Sequence, residues 1–166
     1  MAVRYVLIFI ICIAFFCQSA EGNSCVPQSE AAESAVMIRP HKDVYFSVQL
    51  FKRFTEEGCS ETICVARNGK PFANINLPSS EDVKNLKAKI RKYRKGCVLE
   101  CLYGGGDNLY SRHFYFKSIG DNLYLYKVKS AHIVPNARKS ATGEVYVQPL
   151  VDIGRFSIMH YLENTP

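Results

Sequence analysis

The sequence predicts an α+β fold: an antiparallel sheet of about seven to eight strands, one packed basic helix and two disulfide staples. Three observations carry this expectation. From Val44 onward, short runs rich in Val, Ile, Tyr and Phe are separated by Gly, Asn and Pro clusters, the punctuation of hairpins. After Pro78, one segment repeats its apolar residues at helical spacing instead. Cysteines at 59, 64, 97 and 101 form two closely spaced pairs in a chain that carries an export leader.

The leader is residues 1–22. Arg4 supplies a positive charge, Tyr5 to Cys17 are apolar throughout, and Ala20 and Gly22 are the small pair expected at a cleavage site. The apolar run falls short of the roughly 20 residues a spanning helix needs, so stable membrane insertion is not expected. The chain is read as secreted and extracellular. Residues 23–35 are small and polar and read as a loose arm. Residues 36–166 then form a single globular domain, long enough to bury a core.

Within the domain, Val44 to Phe54 alternates, with Val44, Phe46, Val48, Leu50 and Phe54 on one strand face. Thr62–Arg67 and Lys70–Leu77 flank Asn68-Gly69, a strong hairpin signal. Ser79 and Asp82 suit a helix start, and Val83, Leu86, Ile90 and Tyr93 make one apolar stripe that Gly96 ends. From Cys97 the chain reads as a five-strand meander whose last strand is Arg155 to Leu162. Gly-Asp-Asn-Leu-Tyr occurs at 106–110 and again at 120–124, which reads as turn chemistry rather than duplication.

The chain carries 21 Lys+Arg against 15 Asp+Glu, a formal net charge of +6. That balance favours anionic partners, such as a glycosaminoglycan or an acidic protein surface. The charge concentrates at Lys84, Lys87, Lys89, Arg91, Lys92, Arg94 and Lys95, with no acid among them. On a helix, Lys84, Lys87, Arg91, Arg94 and Lys95 share one stripe, and Lys92 lies beside it. The alternation of single and paired bases is common in heparin-binding segments. These residues are the expected contacts of a non-enzymatic, effector-like or cytokine-like binding protein.

Two of the seven cysteines leave with the leader. Pairing the two cysteine segments antiparallel gives Cys59–Cys101 and Cys64–Cys97. Cys25 is left over, to remain a thiol or to join two chains as a homodimer. Five cysteines with one free allow fifteen connectivities, so the others stay open. No Cys-x-x-Cys occurs and no metal or cofactor site is expected. No Asn-x-Ser/Thr acceptor occurs either.

Catalytic motifs are missing: no Gly-x-Ser-x-Gly, His-Glu-x-x-His or Walker loop. A helix followed by an antiparallel meander resembles, in outline, the small microbial-type ribonucleases. That outline implies a carboxylate base, an arginine for phosphate and a histidine acid, with Glu100, Arg112, His113, His132 and His160 as candidates. His160 also reads as a core residue on one strand face with Phe156, Ile158 and Leu162. A second alternative follows from the aromatic load of the meander: a carrier of a small lipophilic ligand.

Overall fold

The computed structural model describes residues 32–55, 58–79, 81–106, 108–134 and 141–163. The expected leader, Cys25 and most of the expected arm lie outside the described residues. Nine strands are present among those described: β1 (Ser34–His41), β2 (Val44–Thr55), β3 (Gly58–Arg67), β4 (Lys70–Asn76), β5 (Lys87–Tyr93), β6 (Gly96–Gly105), β7 (Asn108–Ile119), β8 (Asn122–Ile133) and β9 (Ala141–Asp152). They form two antiparallel sheets in chain order, β1 to β4 and β5 to β9. A 3-10 turn at Ile153–Arg155 and one short helix, α1 (Ile158–Glu163), complete the chain.

The inner faces of both sheets meet in one core. Phe46, Val48 and Leu50 of β2 and Ile63 and Val65 of β3 face Ile90, Leu99, Phe114, Phe116 and Leu125 from the larger sheet. Along one side β1 lies against β5, where the Ile90 backbone N–H donates to Ser34 Oγ at 3.2 Å. On the other side the 3-10 turn lies against β4 and β8. There Phe156 packs edge-on to Phe114 and Phe116, with centroids 5.3 and 5.2 Å apart.

Asn68-Gly69 makes its hairpin as expected, with φ of 51° and 76°. Both copies of Gly-Asp-Asn-Leu-Tyr lead into strands, β7 and β8.

The expected basic helix does not form, and its residues make β5. The local start signal is real: Ser79 Oγ donates to Asp82 Oδ2 at 2.8 Å, and the Val83 N–H reaches the Ser79 carbonyl at 3.0 Å. One turn forms, and Asn85 then takes φ 55°. Asn85 Nδ2 donates to the Gly104 carbonyl at 3.0 Å, turning the chain onto the edge of β6. From there the sequence also alternates. Ala88 and Ile90 lie opposite Cys101 and Leu99, while Lys87, Lys89 and Arg91 take the other face. An unfilled edge beside a buried strand decides between two periodicities that the residues satisfy equally.

Two further expectations are corrected. Arg155 to Leu162 is not the fifth meander strand, because Ile158–Glu163 is helical. Phe156, Ile158 and Leu162 are buried there as expected, but His160 is exposed rather than in the core. No disulfide joins Cys59, Cys64, Cys97 or Cys101. β3 and β6 belong to different sheets, so the proposed antiparallel pairing of their cysteines is absent. Cys59 and Cys64 are an odd number of residues apart and face opposite ways, whereas Cys97 and Cys101 share the inner face with Leu99.

Burial pushes the Cys97 and Cys101 thiols up to about 12, from 9.0 in solvent. The native state therefore keeps protons that the unfolded chain releases above pH 9. Stability is expected to be unaffected by these thiols below that pH. Between pH 9 and about 12 it falls by on the order of 1 kcal/mol per thiol per pH unit. Urea titrations at pH 8 and pH 10 check this. Alkylation of the folded protein is expected to mark exposed Cys59 and spare Cys97 and Cys101 until unfolding.

Candidate anion-binding surface

β5 and β6 are joined by a two-residue hairpin, Arg94-Lys95, between the paired residues Tyr93 and Gly96. Gly96 is required by crowding: a Cβ there would lie 2.0 Å from the Phe116 carbonyl oxygen. The same glycine would end the helix that the sequence predicts, and here it closes a hairpin. Arg94 sits at φ 53°, the left-handed region that Asn and Gly occupy at least cost. A tight hairpin tip normally carries Asn-Gly or Asp-Gly. Here it carries two cations instead. The tip is tied down by Ser118 Oγ, which donates to the Lys95 carbonyl at 2.7 Å.

Beside the tip lies an open cleft of about 250 Å³, lined by Met37, Ile38 and Arg39 of β1 and by Lys92, Arg94 and Lys95. Four cations converge on it, and no carboxylate lines it. None of the four has a carboxylate partner among the described residues. Positive charge left uncompensated around a concavity focuses the field on it.

The structure brings together three of the six basic residues singled out in the sequence: Lys92, Arg94 and Lys95. It separates Lys84, which lies before β5 near Gly105, by the length of that strand, about 23 Å at ~3.3 Å per residue. Lys87 and Arg91 take the outer face of the sheet. Arg39 was missed. It lies more than fifty residues upstream, and nothing local in its own segment marks it.

The register places the outer face of the larger sheet in rows. Lys87, Leu102, Ser111, Ala131 and Thr142 make one row. Lys89, Glu100, His113, Lys129 and Glu144 make the next, and Arg91, Val98, Tyr115, Lys127 and Tyr146 the third. Arg91 is paired with Glu100. Lys129 is paired with Glu144 at 2.9 Å, a bond that raises the lysine pKa and lowers that of the carboxyl. Lys127 is only 9% exposed, with its ammonium 4.5 Å from the Tyr115 ring centre and 5.9 Å from those of Tyr126 and Tyr146. Glu144 lies 3.5 Å from it. Desolvation raises the Tyr126 phenol pKa, with Lys127 opposing that shift. Arg94 covers Tyr93 at 5.3 Å and Lys117 covers Tyr126 at 5.3 Å. Rings thus hold cations in place across the face.

The residues suggested by the ribonuclease outline divide between two faces. Glu100 and His113 are register partners on the outer face. His113 Nε2 lies 3.1 Å from Ser111 Oγ. Arg112 and His132 have the opposite parity. Arg112 is buried, with Nε 3.4 Å from the Tyr103 hydroxyl, and His132 stacks on Tyr110 at 4.7 Å. His160 lies on α1. No group of three or more His, Cys, Asp and Glu side chains suited to a metal occurs among the described residues. No described helix is long and apolar enough to cross a membrane.

No family model, curated protein or solved structure matches the chain.

Replacing the ammonium inside the tyrosine cluster tests its packing role. Lys127→Met is expected to lower stability by about 1–2 kcal/mol, from lost cation–π contacts and a weakened pairing of Glu144. Lys129→Met, at an exposed position where solvent screens the pairing, is expected to cost less than Lys127→Met. Denaturant midpoints of the two variants check the order.

Proposed function

We propose that this chain is a secreted, non-enzymatic binding protein that engages an anionic extracellular macromolecule through the Arg94-Lys95 hairpin and its cleft. One observation carries the reading: Arg39, Lys92, Arg94 and Lys95 converge on a concavity lined by no carboxylate. The position of Arg94 adds to it. A left-handed arginine at a hairpin tip costs on the order of 1 kcal/mol, so fold stability alone favours another residue there. The export leader and the net charge of +6 are in keeping with an anionic partner outside the cell.

The alternatives have less behind them. A hydrolase of the ribonuclease type needs its base, acid and phosphate-binding arginine in one cleft, and here Arg112 and His132 lie across the sheet from Glu100 and His113. A lipophilic carrier needs space between its sheets, and that region is packed by Phe46, Leu50, Ile63, Phe114, Leu123 and Leu125.

Retention on heparin resin tests the reading. Binding should weaken as salt rises, since the screening length falls from about 10 Å at 0.1 M to about 3 Å at 1 M. Combined Arg39→Ser, Arg94→Ser and Lys95→Ser should elute well before the wild type. Lys42→Ser, Lys70→Ser and Arg155→Ser remove as much charge from other exposed sites and should elute close to it. Equal elution of the two triple variants would reduce the cleft to bulk charge. A single Arg94→Asn change separates function from stability. It should leave stability unchanged or raise it by up to about 1 kcal/mol while weakening retention.

A further inference from the structure

We infer that the anionic partner is an extended sulfated polysaccharide, gripped at two stations: the hairpin cleft and a groove across β7, β8 and β9. This rests on the polyanion reading above, and adds the chemical class of the ligand and a second contact. The groove has a volume of about 530 Å³. Its floor is the cross-strand row Ser111, Ala131 and Thr142, three small side chains on adjacent strands. Its wall is the neighbouring row His113, Lys129 and Glu144. Beyond that wall stand Tyr115, Lys127 and Tyr146, so small residues beside large ones make the trough.

The chemistry of the trough suits a sugar unit. Ser111, Thr142 and His113 offer hydroxyl and ring-nitrogen groups, and the Lys129–Glu144 pair offers both a donor and an acceptor. A single-stranded nucleic acid is matched less well, because base recognition needs free aromatic faces. No Phe, Tyr or Trp lines the groove, and its one ring, His113, lies with Nε2 3.1 Å from Ser111 Oγ. The rings nearby are engaged by the protein's own cations, Tyr93 by Arg94, Tyr126 by Lys117 and Tyr115 by Lys127. From the β5–β6 tip to β8 is about three strand spacings across and about five residues along. With strands ~4.8 Å apart and a rise of ~3.3 Å per residue, the stations are on the order of 20 Å apart. A single sulfate cannot reach both, and a chain of sugars can.

Titration with size-fractionated heparin oligosaccharides, from disaccharide upward, tests this on the secreted protein. Affinity should rise about 10-fold or more once the oligosaccharide spans both stations, because the second contact becomes intramolecular. Thr142→Phe, on an exposed edge strand, fills the trough and should abolish that rise, with binding at the hairpin cleft retained. Lys129→Ser should reduce the rise in the same direction. Arg94→Ser with Lys95→Ser should weaken short and long ligands alike. Wild-type length dependence in both groove variants, with folding verified by circular dichroism, would overturn the second station. Competition by oligo-dT or polyglutamate as strong as by heparin of equal charge would overturn the polysaccharide assignment. Failure of the wild type to bind heparin of any length would instead sink the polyanion reading beneath it.

Discussion

Burial of two sheet faces against each other is the constraint on which the rest depends. Phe114 stands at the centre, fully buried on the middle strand of the larger sheet between Leu99 and Val128. It meets the C-terminal segment through Phe156 and Tyr161. A sheet with one apolar face must cover it. Neither set of strands does so alone, and the seams between them are closed by different means. β1 against β5 closes one, and the 3-10 turn against β4 and β8 the other. This second seam explains why the last segment is a helix. A tenth strand would hold His160 on the inward face with Phe156, Ile158 and Leu162, whereas the helix buries those three apolar residues and turns His160 out to solvent.

The same arrangement produces the charged surface. Once Ala88 and Ile90 are drawn into the core, alternation sends Lys87, Lys89 and Arg91 to the opposite face, beside outward residues of β6 to β9. The first seam then sets Arg39 of β1 next to the β5–β6 hairpin. Cationic convergence at the cleft is therefore a consequence of the β1 and β5 edges adjoining where the two sheets pack face to face. It combines one residue from the first sheet with three from the second. Such a cluster repels itself, and that cost is borne at an exposed hairpin where water screens it well.

The aromatic residues of the outer face have a different role from those of the core. Phe114, Phe116 and Phe156 pack on each other and exclude water. Tyr93, Tyr115 and Tyr126 instead face Arg94, Lys127 and Lys117, and Lys127 is held with almost no exposure. A cation over a ring keeps its charge while losing conformational freedom. Positions fixed in advance reduce the ordering cost that flexible lysines and arginines otherwise incur on binding.

The sequence by itself determined the elements whose signals are local. Asn68-Gly69 specified a hairpin because left-handed backbone is cheap there. Alternation specified β2, and Gly-Asp-Asn turns delimited β7 and β8. Ser79 and Asp82 made their predicted contact, although it nucleated one turn only. The basic cluster was also legible, as a concentration of charge. Tertiary structure decided everything on which two periodicities agreed. Val83, Leu86, Ile90 and Tyr93 fit a helix stripe, Ala88 and Ile90 fit a strand, and the open edge of β6 selected the strand. Phe156, Ile158 and Leu162 fit either form, and the gap between sheets selected the helix. Cysteine pairing failed for the same reason, since it assumed that β3 and β6 were neighbours. Arg39 joins the cleft across more than fifty residues, and no local pattern encodes it, because strand adjacency is set by burying the whole core at once.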